Sequence, residues 1–299
     1  MADAIKSPAL RALVYGHLWL ALGAFAQVWW VGERFLVKAD LRLAMLAGFA
    51  TIAAYGSMRL VRMTDPAVQG SPMVQWFRAN TPLMVGAALV CAALATWLAW
   101  PSRSTVLHAL WKPGLLAALY LLPVPLKRGR SIGLRNVPFL KAFVIATVWA
   151  SVTTVLPGLT SSIDGEQAQD GLWWMFAVQF CFFLALAITF DVRDMPYDPP
   201  GLRTVPQVLG VRGAKFLAVL LLLPMCFLLI LMSWVDLGLS RGEGSGMDLA
   251  YALPLLGVIV LGIAIVLAES DRPWWYFPVL LDGALLFIPL LSWVGSAVQ

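Results

Sequence analysis

The chain has little charge: 12% of its 299 residues are Asp, Glu, Lys or Arg, about half of what an ordinary soluble domain carries. It has only three cysteines and two histidines, which excludes a disulfide scaffold and leaves no material for a zinc centre. Cys91, Cys181 and Cys226 all fall within apolar runs, where they read as thiols packed inside a helix bundle. His17 and His108 stand alone near the ends of such runs and read as interfacial packing residues. No segment alternates polar and apolar residues as a membrane barrel strand would. There is no low-complexity linker, and no polar stretch is long enough for a separate soluble domain. A cleavable signal is not expected either, because the start mixes acid and base and the first apolar run resembles a retained span.

What the chain has in excess is hydrocarbon. It is 61% hydrophobic with a mean hydropathy of +0.82, so it reads as an all-α, polytopic membrane helix bundle forming one domain over 1–299. Nine segments approach the ~20 residues that a crossing needs: 15–33, 41–61, 81–100, 104–124, 137–157, 171–191, 213–235, 248–268 and 274–297. The third, with Gly86, Ala87, Ala88, Ala92, Ala93 and Ala95, has the small residues that let helices approach closely, so it is expected to be well buried. Trp29, Trp30, Trp173, Trp174, Trp274 and Trp275 sit at predicted span ends, where an aromatic belt belongs.

Most of the 21 Lys and Arg fall on one side if the N-terminus is cytoplasmic, which makes that side the cytoplasm and leaves the C-terminus outside. The net charge of +5 follows from this topology and from contact with the lipid bilayer, and does not signal nucleic acid. The chain does not reveal its oligomeric state.

The richest polar stretch is Asp191 to Gly210, DVRDMPYDPPGLRTVPQVLG. Asp191, Asp194 and Asp198 stand at i, i+3 and i+7, so a continued helix would aim all three at one face. Carboxylates gathered this way need a neutralising metal, Lys or Arg, and an oxygen-only cluster suits Mg²⁺ carrying phosphate. Gly201, Thr204, Pro206 and Gly210 read as a turn-rich loop leading to the next span. On the same predicted side lie the basic loop LKRGRSIGLRN, Leu126 to Asn136, and a long loop from Arg59 to Asn80. Loops of this length are usually functional, and acid in one with base in another fits a site for phosphate and metal.

These features resemble the UbiA superfamily of intramembrane prenyltransferases over essentially the whole length. That family has nine transmembrane helices and two Asp-rich cytoplasmic motifs, one after the second helix and one after the sixth. The second motif is matched by Asp191, Asp194 and Asp198 followed by Gly201, Thr204 and Pro206, and Tyr120 with Leu126, Lys127 and Arg128 resembles elements after the fourth helix. The first motif is not matched: the positions expected to hold Asn, Asp, Asp and Asp are Tyr55, Gly56, Arg59 and Met63.

The resemblance implies transfer of a prenyl group from a prenyl diphosphate to an acceptor. Asp191, Asp194 and Asp198 would be the catalytic and metal-binding residues, and Mg²⁺ would be held only with diphosphate bound. Tyr55, Arg59, Tyr120, Lys127, Arg128 and Asp282 would contact substrate. Asp282, within FPVLLDGALLF of the last span, is expected to face protein and not lipid, because a lipid-facing charge there is costly; Arg59, Lys141, Tyr55 and Tyr120 are its candidate partners. With the first motif lost, two readings stand: a prenyltransferase working with fewer carboxylates, and a non-catalytic membrane protein that binds an isoprenoid lipid or partner helices.

Overall fold

A computed structural model describes residues 5–36, 39–63, 72–121, 124–126, 130–132, 139–160, 166–196, 203–239 and 247–299. The architecture is helical, as expected. Its helices are α1 (Pro8–Tyr15), α2 (Leu18–Phe35), α3 (Leu41–Arg62), α4 (Pro72–Ala79), α5 (Thr81–Ala99), α6 (Arg103–Leu121), α7 (Leu140–Ala150), α8 (Leu156–Thr160), α9 (Glu166–Asp194), α10 (Val205–Leu220), α11 (Leu223–Leu239), α12 (Leu249–Leu267) and α13 (Ala284–Val298). One departure lies in the basic loop, where β1 (Val124–Leu126) and β2 (Arg130–Ile132) pair antiparallel, with Pro125 opposite Ser131.

Among the described residues seven helices are long and apolar enough to cross a membrane, or eight if the pair α1 and α2, bent by 51°, is one span. This comes close to the nine read from the sequence, and one helix accounts for a difference. Thr81–Leu119 runs for 39 residues, about twice what one crossing needs, and it takes in the spans expected at 81–100 and 104–124. In place of the expected loop there is a 3-10 turn, Trp100–Ser102. Trp100 and Arg103 keep helical angles, and Pro101 sits early in that turn, where its missing N–H is tolerated.

The chain divides into two compact units, Met1–Arg103 with Arg272–Leu286 and Ser104–Asp271 with Phe287–Gln299. In the first, α3 packs between α2 and α5. The expectation that the third span is well buried fails: of its six small residues only Ala88 is buried, with Cys91 and Leu98 completing the covered stripe of α5. Its helix is apolar on every side, so composition alone did not say which face meets protein. The amphipathic helices α1 and α4 pack on one another, and Tyr15 meets Trp76 edge to face at 5.9 Å. Trp30, expected in the interfacial belt, is fully buried and lies edge-on to Phe35 at 5.3 Å; Trp173, Trp174 and Trp275 are exposed, as a belt requires.

In the second unit α7 and α9 form the tightest pair, followed by α9 with α10 and α11 with α12. The Trp149 and Phe183 rings stack at 5.2 Å. The π turn Ser151–Val155 precedes Pro157, which cannot donate a backbone hydrogen bond.

Proline inside a membrane helix strips the carbonyl four residues earlier of its N–H partner, and no water is present in lipid to replace it. Two such carbonyls are served by side chains from distant positions. Pro289 in α13 cannot donate to Leu285, and the amide Nε2 of the buried Gln27 on α2 donates to the Leu285 carbonyl at 3.1 Å. Pro254 in α12 likewise leaves Ala250, and the buried Ser292 hydroxyl donates to that carbonyl at 2.7 Å. One turn from Ser292, a side chain on Gly295 would collide with the Leu249 carbonyl and, at 2.8 Å, with the Ala250 nitrogen, so only glycine lets α13 come this close to α12. Ser292→Ala should lower stability by about 1–3 kcal/mol, the cost of an orphaned buried carbonyl. Gly295→Val should cost more by forcing the helices apart; unfolding of both variants in detergent measures the order.

Candidate functional site

The acidic motif ends a long helix. α9 carries Asp191 and Asp194 in its last turn and stops there, two residues before Pro196, because the residue preceding a proline is driven out of the helical region. The helix therefore does not continue to Asp198, and the expected one-face array of three acids reduces to an i, i+3 pair; Asp198 lies outside the described residues. α7 runs antiparallel to α9. Counting eight residues back from Trp149 and eight forward from Phe183, whose rings stack, leads to Lys141 and Asp191.

Those two residues meet. Lys141 Nζ lies 2.8 Å from Asp191 Oδ1 and 3.2 Å from Asp194 Oδ2, so one ammonium bridges both acids. Arg193 Nε adds a hydrogen bond to Asp194 Oδ1 at 2.8 Å, its guanidinium 4.8 Å above the Phe190 ring. The Asp191 side chain is 3% exposed and that of Asp194 27%, so the pair grades from buried to accessible.

Helix electrostatics oppose this placement. A helix C-terminus carries partial negative charge and an N-terminus partial positive charge, yet the acids sit at the C-terminus of α9 and Lys141 in the first turn of α7. Each group is on the unfavourable end of its own helix. Their mutual pairing offsets this, and Phe139, just ahead of α7, adopts a left-handed conformation (φ 64°) that a non-glycine residue rarely takes. Such concentration of unfavourable local choices marks functional sites more often than scaffolds.

The downstream part of the motif differs from expectation. The helix begins at Val205 and not near 213: Thr204 is its N-cap, the Thr204 N–H donates to Gln207 Oε1 at 3.0 Å, and Pro206 lies in the first turn. Gly210, read as a loop residue, is a kink within α10 with φ 72°. Gly201 lies outside the described residues, as do Lys127 and Arg128. Tyr120 lies in the last turn of α6.

The remaining residues are in the first unit. Tyr55 and Arg59 are one turn apart on α3, both half-buried, where the family resemblance would place an asparagine and a carboxylate. Asp282 is half-buried at the end of the π turn Tyr276–Leu281. Lys141 is the residue that sequence reasoning left out of the site. Its signal was present: it is the one charged residue of the apolar segment Leu140–Leu159, and such a residue is a functional candidate by default.

Among the described residues no group of three or more His, Cys, Asp or Glu is arranged to hold a metal ion. Lys141 stands where a cation between Asp191 and Asp194 would stand, so these residues do not fit Mg²⁺ by themselves. Lys141→Met should destabilise the protein by about 3–5 kcal/mol, because it leaves two acids without their shared cation. Adding Asp191→Asn and Asp194→Asn to that variant should restore most of the loss, and equilibrium unfolding of the single and triple variants is the check.

No family model matches the sequence, and no curated protein does. Among solved structures the chain is similar to the apo structure of a UbiA homolog from Aeropyrum pernix K1, with a TM-score of 0.60 and 16% identity, covering 94% of this chain and 97% of that one. The likeness extends from end to end of both proteins, and the fold of this membrane protein is the UbiA fold.

Proposed function

We propose that the chain is a divergent member of the UbiA superfamily, an integral membrane prenyltransferase that moves a prenyl group from a prenyl diphosphate to an acceptor. The observation that carries the reading is the cluster of Lys141, Asp191 and Asp194 at the end of α9, where the second acidic motif was expected, within a chain of UbiA fold. The cation distribution supports a cytoplasmic N-terminus and motif side, with the C-terminus outside.

Cleaving an allylic diphosphate concentrates negative charge on the leaving group, and a fixed cation there lowers the barrier. Asp191 and Asp194 hold Lys141 as such a fixed charge, and an ammonium suits phosphate as a point charge. The apolar helices keep water from the prenyl cation. Two carboxylates sharing a lysine give too few ligands for Mg²⁺, which demands near-octahedral oxygen coordination; on this reading magnesium binds only together with diphosphate, whose oxygens complete its shell. Tyr55, Arg59, Tyr120, Lys127, Arg128 and Asp282 are the further substrate contacts that the reading expects.

A second reading has its own support. The acids are already neutralised within the protein, and the first motif holds no carboxylate at Tyr55, Gly56, Arg59 or Met63. A protein so arranged keeps the fold to hold an isoprenoid lipid or partner helices without turnover.

Titration of the purified protein with geranylgeranyl diphosphate, with and without Mg²⁺, separates the two. The enzyme reading expects binding that Mg²⁺ strengthens, no Mg²⁺ binding by the protein alone, at least tenfold weaker binding in Lys141→Met, and pyrophosphate release when a membrane lipid extract supplies acceptor. Binding without release under any condition favours the second reading. Absence of binding with and without Mg²⁺ removes the first.

A further inference from the structure

Away from the acidic cluster, the second unit holds two polar side chains deep among its apolar helices. Gln179 of α9 is fully buried, and neither its amide nitrogen nor its amide oxygen has a hydrogen-bond partner among the described residues. The hydroxyl of Thr154, in the π turn Ser151–Val155, is likewise buried and unpartnered. Within the span Asp170–Asp194, Gln179 stands about 13 Å from one end and about 22 Å from the other at 1.5 Å per residue. An amide at that depth has no interfacial water to pair with, and leaving it unpaired is costly.

The two residues share one level of the packing. Trp149 and Phe183 stack at 5.2 Å; Thr153 is one turn beyond Trp149, and Gln179 is one turn before Phe183 on the same face of α9. Past that level, a side chain on Gly158 would collide with Leu172, so the two backbones stay close on the far side as well. The antiparallel register therefore sets Gln179 against the π turn, on which α9 packs. Nearby hydroxyls are satisfied within their own helices: Thr147, Ser151 and Thr153 donate to the carbonyl four residues earlier at 2.8, 2.7 and 2.9 Å, and Thr189 of α9 does so at 2.8 Å. Thr154 does not. Its turn is widened, with the Leu156 N–H reaching back five residues to the Ser151 carbonyl, and single π turns recur at functional sites. Pro157 follows and cannot donate to the Thr153 carbonyl. At Pro254 and Pro289 a distant side chain donates to the carbonyl so affected; Gln179, at the level of this third break, makes no such bond.

From these facts we infer that Thr154 and Gln179 form a binding site for a neutral hydroxyl group in the membrane interior. The ligand is neutral because α7, the π turn, α8 and α9 bring no charge to this level. The nearest charged residues of those elements, Lys141, Asp170 and Asp191, are nine or more positions from either residue, and an ion at this depth needs a counter-charge. The ligand is a hydroxyl because the site offers both halves of the exchange: the Gln179 amide nitrogen donates to the ligand oxygen, and the ligand donates to the Gln179 amide oxygen or to Thr154 Oγ1. An ordered water and the terminal hydroxyl of a long-chain isoprenoid alcohol present the same group. Twelve residues separate Gln179 from Asp191, and the site holds whether or not the chain turns over a prenyl diphosphate.

Solid-state NMR of the full-length protein in phosphatidylcholine liposomes, with ¹⁵N in the glutamine side chains, tests the site; the Gln179 resonance is the one that Gln179→Met removes. Polarisation transfer from water to that amide is measured in the parent, in Thr154→Val, which loses the hydroxyl, and in Thr154→Ser, which keeps it, and the same samples are titrated with geranylgeraniol. Transfer from water in the parent and Thr154→Ser that drops about fivefold in Thr154→Val identifies an ordered water. A shift of the resonance with geranylgeraniol, its midpoint about fivefold higher in Thr154→Val, identifies an isoprenoid alcohol. Either supports the site, and the fivefold change is what loss of one neutral hydrogen bond implies. Thr154→Ala takes the place of Thr154→Val should the latter not fold. A Gln179 amide in the parent that neither receives polarisation from water nor responds to geranylgeraniol overturns the site without recourse to any variant at Thr154. A response unchanged in the folded protein lacking the Thr154 hydroxyl overturns it as well.

Discussion

Inside a bilayer every backbone N–H and C=O must find its partner within the protein, and the rest of this structure depends on how that demand is met. Helices meet it locally until a proline interrupts the ladder. At Pro254 and Pro289 the stranded carbonyls are reached by Ser292 and Gln27, so a defect in one helix becomes a specific tie to a residue about 40 and about 260 positions away in sequence. Membrane helices gain little from hydrophobic attraction to one another, because lipid is as apolar as their side chains. A few polar ties and close approaches such as that at Gly295 therefore carry much of the specificity that a soluble core would spread over many contacts.

The same shortage of polar groups makes each one informative. In a helix such as α9, which is apolar through most of its length, Asp191 and Asp194 cannot be treated as surface decoration, and their burial requires a counter-charge. Lys141 supplies it at the cost of sitting on the unfavourable end of its own helix. A buried ion pair of this type is weak evidence for stability, since well-packed apolar residues often do as well. The positions where the family resemblance expects Asn, Asp, Asp and Asp hold Tyr55, Gly56, Arg59 and Met63, so this stretch of α3 carries a cationic side chain and no carboxylate.

Legibility in the sequence followed the range of the interaction. Helices were legible because long apolar runs leave the backbone no alternative in lipid, and the start of α10 was signalled by Thr204 and Pro206, although Gly210 drew the reading toward a loop. The stopping point of α9 was written in Pro196, a local steric rule that outweighs the i, i+3, i+7 spacing of Asp191, Asp194 and Asp198. The burial of α5 was not legible, because a helix apolar on all sides has no face that differs from the others. The buried position of Trp30 was hidden for the same reason: an indole near a span end can serve the interface or the core.

By itself the sequence determined that this chain is a multi-pass helical membrane protein with an acidic motif at the end of its sixth predicted span, since length, hydropathy and local sterics act residue by residue. The tertiary structure alone decided that Lys141 pairs with Asp191 and Asp194, that Gln27 serves Leu285, and that the His17 ring rests against Tyr55 and Phe77. Those pairings join residues from 38 to 258 positions apart, and no local rule selects them. They depend on which helix faces pack together, which in an apolar solvent is settled by a small number of polar ties and close contacts and not by the hydrophobic pattern.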